Sequence, residues 1–426
     1  MNARLAFCLL ALLSGSPVFP VLGDEPLRVP LTLEVALRRA TERHPQLEVR
    51  RAGERAVEAR REQAALRPNP TVEVALENAL GTGDLQGVRS LETTVQAQQT
   101  LERGGKREKR VAVAGQDRES AARETDVIQT EVLNATAIAY VTVLAAQQRL
   151  ELAETPVALA RETLAAVSAR VQAGAGATAE VARARVALAM AEAEVARNQS
   201  QLHAARTTLA TLWGGEPQDV GLLPGRVRTT DALPPEATLR AALDRHARLE
   251  WQRSLVAGRR LALTLEQAQT VPDVTVAGGI RFLRAGNDAA FVAGVSMPLL
   301  RRNQNQGLIR AARETVNGAE WELRGAERAL RAEFSAAWLD LQSALAAAQA
   351  LRREALPPTD EALALVREAY RSGQLPLIDV LDAQREQIQL RRELLECETA
   401  FALALARVDG LTSTTFPHTT ALLLSE

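Results

Sequence analysis

"GAGATAEVARAR" at residues 174–185 and "GQLPLIDVLDAQ" at 373–384 decide how this chain is read. Each opens on glycine, which supplies the positive φ that a tight turn needs. Each then runs directly into a helix-forming sequence. Gly174, Glu180 and Val181 of the first stretch answer to Gly373, Asp379 and Val380 of the second. One turn-and-helix design used twice, half a chain apart, predicts a duplicated architecture.

The duplication extends outward from the turns. "TLEVAL" at 32–37 returns as "TLRAAL" at 238–243, and "RHPQLE" at 43–48 as "RHARLE" at 245–250. "PNPTVEV" at 68–74 is echoed by "PDVTVAG" at 272–278, and the segment around Leu101 and Arg103 by Leu299 and Arg301. Two halves therefore run in the same order, at a spacing of roughly 200 residues, the mark of an internal repeat. The boundaries expected are 24–213 for the first repeat, 214–237 for a linker, 238–415 for the second repeat and 416–426 for a tail.

Each half has the same grammar. A helical run leads to a proline, then to two alternating stretches, then to very long helices. In "TVEVALE" (71–77) Val72, Val74 and Leu76 share one face and Glu73 and Glu77 the other; "LETTVQAQQ" (91–99) alternates likewise. Period two is the strand signal. The glycine-rich "GTGDLQG" between them makes a hairpin spanning 71–99. A second hairpin spans 273–298, with Val274, Val276, Ile280 and Phe282 on one face. Strands of about nine residues, apolar on one side and polar on the other, fit either a half-buried soluble hairpin or a membrane barrel. Four strands are too few to close a barrel, since bacterial ones begin at about eight. The barrel reading therefore needs several copies to pool their strands.

From Ala177 to Trp213 the chain has neither Gly nor Pro, which allows roughly 55 Å of helix. Val181, Leu188, Val195, Leu202 and Leu209 recur every seven residues, followed at three by Ala184, Ala191, Asn198 and Ala205. Val380, Gln387, Leu394, Phe401 and Val408 repeat the register, with Ala383, Leu390, Cys397 and Ala404 after them. This is a coiled-coil seam. A neighbouring seam of Leu381, Ile388, Leu395 and Ala402 predicts partners on both sides of the helix, as in a ring.

Composition narrows the function. Across 426 residues, 51 Lys+Arg against 52 Asp+Glu give a formal net charge of -1, so nothing favours nucleic acid. The first residues, "MNARLAFCLLALLSGSPVFPVLG", have the charged, apolar and small-residue regions of a signal peptide spanning 1–23. Cys8 lacks a lipobox, and Cys397 would be left as the one mature cysteine. The most apolar run beyond, Leu133 to Ala146, is interrupted by Asn134 and Thr136, so no helical membrane span is expected. "RGGKRE" (103–108) lacks the spacing of a phosphate loop and is read as a turn. His44, His203, His246 and His418 are scattered. No metal, cofactor or catalytic constellation is expected.

Paired helices meeting at a glycine turn, twice per chain, plus two hairpins, resemble the outer-membrane efflux protein family, whose best-known member is TolC. The turn "RSGQLPLIDVLDA", with Tyr370 three residues before its glycine, is the most specific piece. "PNPTVEVALEN" followed by "ETTVQAQQTLERGGKR" resembles the CzcC-like branch, which serves heavy-metal pumps of the resistance-nodulation-division type. The resemblance implies a mainly α fold with a β-barrel contribution: a homotrimer with a 12-stranded barrel in outer-membrane lipid and a coiled-coil tunnel in the periplasm. It implies a duct for efflux, with a periplasmic adaptor and an inner-membrane pump as partners. Drug efflux or protein secretion on the same fold, or a soluble adaptor-type coiled coil, are the alternatives.

By the same resemblance, Asp379 and Asp382 would ring the periplasmic mouth, with Glu180 placed similarly in the first repeat. Tyr370 would help hold the mouth shut. Leu375 stands where some relatives carry a gating arginine, so the closed-state ion pairing differs here or falls to Arg371, Arg183 or Arg185. Gly174 and Gly176, with Gly373, Leu375 and Pro376, would form the tips that dock the adaptor. Helix capping is the competing role for the two aspartates, because carboxylates in a first turn gain about 0.3–1 kcal/mol from the helix dipole.

Overall fold

The computed structural model describes residues 31–174, 176–230, 233–299 and 304–424; the expected signal peptide lies outside them. In chain order come α1 (Leu33–Arg43), α2 (Pro45–Ala64), β1 (Thr71–Glu77), β2 (Glu92–Leu101), α3 (Lys106–Gln172) and α4 (Thr178–Thr211). The second half repeats the series as α5 (Glu236–Ala242), α6 (Ala247–Ala268), β3 (Val274–Leu283), β4 (Asp288–Ser296), α7 (Gln306–Ala350), α8 (Leu356–Arg371) and α9 (Leu377–Thr412). A final helix, α10 (Pro417–Leu424), closes the chain.

The two hairpins form one antiparallel sheet in the order β1-β2-β3-β4. Val74 faces Val95, Val95 faces Ile280, and Ile280 faces Phe291, so one row crosses all four strands on a single face. That face is bare: Val72 is 73% exposed, Phe291 78% and Val295 76%. β1 and β4 are left as the open edges.

α3 runs for 67 residues, about 100 Å at 1.5 Å per residue, and is unbroken at Pro156. Its counterpart is jointed: α7 ends at Ala350, a π turn occupies Leu351–Ala355, and α8 begins just before Pro357 and Pro358. Near the sheet the helices lie side by side in the order α2, α3, α6, α7; towards the glycine turns the order is α4, α3, α9, α8. Both predicted seams are used. Leu202, Ala205 and Leu209 are buried on α4, and Val380, Phe401 and Val408 on α9 together with Leu395 and Ala402 of the neighbouring seam. Gln387, the polar residue in the seam, bonds Asp360 across the α8–α9 pair.

The core sits midway along the long helices. Tyr140, Val141, Val143 and Leu144 of α3 pack with Leu209, Phe334, Leu341 and Phe401. The only helix among the described residues long and apolar enough to cross a membrane is α3, and 56% of its apolar window is buried within the chain itself. The connection expected as a linker is part of this core: Val220, Leu223 and Val227 are buried. Two consecutive glutamines hold it. The Gln147 amide donates to the Leu223 carbonyl and accepts from its N–H, and Gln148 does the same at Val227. Backbone that would otherwise be unpaired is thereby satisfied.

The repeated histidines cap helices. His44 Nδ1 accepts from Gln46 N–H and His246 Nδ1 from Arg248 N–H, which requires Nδ1 unprotonated. Burial, reinforced by the nearby Arg248, holds the His246 imidazolium form below its usual range. The folded chain thus takes this proton at a lower pH than the unfolded chain, so the cap stabilises fully above the ordinary histidine range and is lost as pH falls. His246→Asn keeps a cap without a titrating ring. The thermal midpoint should drop less between pH 7 and pH 5 in that variant than in the parent; equal drops would remove His246 from the acid response.

Candidate channel mouth and barrel lumen

At the first tip α3 ends at Gln172, Gly174 takes φ +73°, and α4 starts after Ala177. At the second, α8 ends at Arg371, Gly373 takes φ +79°, and Pro376 stands at the N-cap of α9. The amides of Gln374 and Leu375 fold back onto the Ala369 carbonyl, at 2.8 and 3.3 Å, which closes the helix end. Gly176 is needed for room instead: a Cβ there would lie 3.1 Å from Val171 Cγ2. Both tips thus depend on glycine, through backbone hand at two positions and contact at a third.

Asp379 is the third residue of α9 and Asp382 lies one turn further on, so the two share a face. The N-cap Pro376 makes no side-chain cap bond, and Asp379 stands in the first turn, where its charge meets the helix dipole. Asp382 pairs with Arg385 at 3.1 Å on its own helix, with both side chains well exposed. Asp379 is half-buried. Glu180 sits in the first turn of α4, and its Oε2 is enclosed with no hydrogen-bond partner among the described residues.

Tyr370 is held by Arg170. Arg170 Nη1 donates to the phenol oxygen at 2.8 Å, and its guanidinium lies 5.8 Å from the ring centroid. Within one chain this links the end of α3 to the end of α8. Arg371 turns the other way towards Glu368 at 3.6 Å, while Arg183 and Arg185 are exposed. Leu375 is half-buried in the turn.

The opposite end of the molecule has a second polar surface. Behind the bare apolar face of the sheet, Arg281 of β3 reaches Glu92 and Glu77 at 3.0 Å each and Thr94 Oγ1 at 3.0 Å. Glu73 accepts from Gln96 at 3.0 Å and from Gln98. Sequence alternation placed these residues on one face but did not pair them. Just below the strands, Lys106 bonds Asp273 at 2.8 Å and so ties the first repeat to the second. Burial raises the Asp273 carboxyl, but hydrogen bonds from Lys106 and the Arg103 amide outweigh it and hold it below the usual range. Beside them Arg110 grips Glu102 with two nitrogens and caps α2 through the Ala64 and Leu66 carbonyls. At the far end of α9, the fully buried Asp409 accepts from Thr419 N–H and Oγ1 and pairs with His418. No cluster of metal-ligating side chains occurs among the described residues.

A sheet apolar on one face and polar on the other, with helix pairs running from it to glycine turns, defines a subunit of an outer-membrane channel with a helical periplasmic duct. The outer membrane efflux protein profile matches residues 36–215 and 238–414, and the chain belongs to that family. It is 28% identical over 378 residues to the cobalt-zinc-cadmium resistance protein CzcC of Cupriavidus metallidurans, covering 89% of this chain and 88% of that protein. It is 31% identical to the nickel and cobalt resistance protein CnrC of the same species, over 66% of each. Among solved structures, the outer-membrane channel OprN superposes with a TM-score of 0.76 at 20% identity, over 90% of this chain and 91% of that one. The protein is an outer-membrane efflux channel.

Proposed function

We propose that three copies of the chain form a duct that carries divalent heavy-metal cations out of the cell, in line with a periplasmic adaptor and a resistance-nodulation-division pump. The likeness to the cobalt-zinc-cadmium resistance protein along nearly the whole chain carries the choice of cargo. Three copies would pool twelve strands, which removes the open edges of β1 and β4 from lipid, where an unpaired backbone cannot persist. In this reading Asp379, Asp382 and Glu180 face the narrow mouth, and Tyr370 with Arg170 and Arg371 governs its aperture. Arg183 belongs to the same gate in the first repeat. Gly174, Gly176, Gly373, Leu375 and Pro376 present the tips to the adaptor. The first repeat (24–213) and second (238–415) then supply alternate parts of one wall, joined through 214–237.

Two measurements test this. The full chain should fractionate with outer membranes and run as a detergent-stable trimer; a monomer soluble without detergent sinks the barrel. A deletion strain should lose tolerance to zinc, cobalt, nickel or cadmium and regain it from a plasmid copy. Sensitivity confined to a drug panel would move the cargo to organic compounds.

A further inference from the structure

The apolar face of the sheet does not stop where the strands stop. Leu101 ends the outward row of β2, and beyond β4 Met297 and Leu299 continue the alternation of Phe291 and Val295. Leu299 is 87% exposed and Leu66, ahead of β1, is 57% exposed; Leu101 and Met297 are exposed as well. Gln99, on the outward row of β2, donates to the Pro68 carbonyl at 2.9 Å. That bond ties the segment holding Leu66 and Arg67 to this end of the sheet.

Cations stand directly beside these apolar side chains. Arg103 Nη1 lies 3.7 Å from Met297 Sδ, which puts its guanidinium at the outward rim. Arg107 donates from Nε to the Ala65 carbonyl at 2.6 Å, which brings its guanidinium next to Leu66 and Arg67. Arg67, Arg103 and Arg107 are all exposed. Residues 65–70 and 101–110, with Asp273, hold six cations and three acids. Two pairs among them are already closed, Lys106 with Asp273 and Arg110 with Glu102. Arg67, Arg103, Arg107 and Lys109 then stand against Glu108. Helix stability does not account for the excess, because the first turn of α3 favours acids over cations such as Arg107 and Lys109. The excess also belongs to one end only. Around the hairpin tips, residues 78–91 and 284–288, Arg89 and Arg284 are matched by Asp84 and Asp288.

An exposed apolar rim edged with unneutralised arginines suits the boundary between acyl chains and charged headgroups. Long basic side chains lay their carbon stems along apolar surface there and keep the charged end in the polar layer. In an outer-membrane efflux channel the helical end of the sheet faces the periplasm, on the side of the phospholipid leaflet. We propose that Arg67, Arg103 and Arg107 bind the phosphate headgroups of anionic phospholipids in that leaflet, with Leu66, Met297 and Leu299 set among the acyl chains. Arginine fits the task, since its planar fork takes two phosphate oxygens at once. The apolar face of the sheet already meets acyl chains, and this surface continues it without a break. The headgroup sits where sheet and helices join, because the Arg103 amide holds Asp273 and Arg107 holds the end of α2. Bound lipid therefore braces the junction between barrel and duct.

Lipid binding of this kind needs the outer membrane but neither the copy number nor the cargo proposed above. The full chain, purified from outer membranes in a non-ionic detergent, is titrated with dioleoyl phosphatidylglycerol or dioleoyl phosphatidylcholine while thermal unfolding is followed. Phosphatidylglycerol should raise the midpoint at a concentration at least about tenfold lower, since each basic residue at an anionic lipid surface contributes about fivefold. High salt should remove most of the difference. Arg67→Gln with Arg103→Gln and Arg107→Gln should erase the preference, whereas Arg89→Gln with Arg284→Gln at the other end should keep it. Comparing the two lipids on one protein cancels any stability lost with the Arg107 bond. Should the triple variant fail to fold, Arg67→Gln with Arg103→Gln leaves that bond in place and should still weaken the preference severalfold. Equal effects of the two lipids on the parent would overturn the proposal, as would a full preference in the variants of the rim. Inorganic phosphate at the same concentrations should leave the midpoint unchanged. If it matches phosphatidylglycerol, the arginines form a bare anion site and the lipid surface is disproved.

Discussion

Changing Asp379 and Asp382 together to Asn should leave thermal unfolding of the channel unchanged while abolishing its preference for cations. The two carboxylates share one face at the start of α9, and three copies would set six of them around one opening. A cation about 6 Å from a single charge gains about 0.7 kcal/mol even at the dielectric of water. Three such charges give about 2 kcal/mol, or roughly thirty-fold in occupancy. Asp382 spends part of its charge on Arg385, so Asp379→Asn alone should account for most of the loss. Stability should hold, because Asn serves a helix N-terminus about as well as Asp and an exposed pair such as Asp382–Arg385 is worth at most about 1 kcal/mol. Reversal potentials in planar bilayers under a salt gradient measure the selectivity. An unchanged reversal potential, with unchanged block by multivalent cations, would show that these side chains do not line the opening.

Gly373→Val should reduce metal tolerance almost to the level of a deletion strain, with normal amounts of assembled protein in the outer membrane. No atom lies within 4 Å of where a Cβ would stand, so crowding is not the cause. The cost is in the backbone: at φ +79° an L residue pays roughly 1–2 kcal/mol, and a β-branched one pays more. The strain would be relieved by opening the turn that presents Leu375 and Pro376, far from the core that sets overall stability. Gly373→Asn should restore most of the tolerance, since Asn visits the left-handed region at small cost. If Val and Asn variants behave alike, the turn conformation is not what the partner recognises.

The sheet and helices were legible because their causes are local. Period two over 71–77 and 91–99 marked the strands that form at 71–77 and 92–101 and their faces, and the seven-residue recurrence of Val181 to Leu209 marked α4 with its seam. The connection at 214–237 was not legible. Val220, Leu223 and Val227 stand among glycines and prolines without a period, and what orders them is a pair of glutamines on α3 that no local pattern announces. The Arg170–Tyr370 contact was not legible either, because it joins the ends of two helices 200 residues apart in sequence and no local pattern announces it. The Arg281–Glu77–Glu92 cluster joins three strands, and alternation alone could place its members on a face but not beside one another.

The unequal long helices give the wall two kinds of strut. α3 is a single rod from below the sheet to the first tip, so a sideways push at Gly174 is felt as a lever along its whole length. The other strut has a knuckle at Leu351–Ala355, where the backbone bonding changes step. That knuckle is pinned by Arg352, which grips Glu398 of α9 and donates to Thr229 of the connection at 3.2 Å. A load at Gly373 therefore meets a joint on the α8 side and an unbroken rod on the α9 side, since α9 runs past Glu398 to Thr412 in the core. The second repeat thus stands on one jointed leg and one rigid leg, whereas the first stands on two rigid ones.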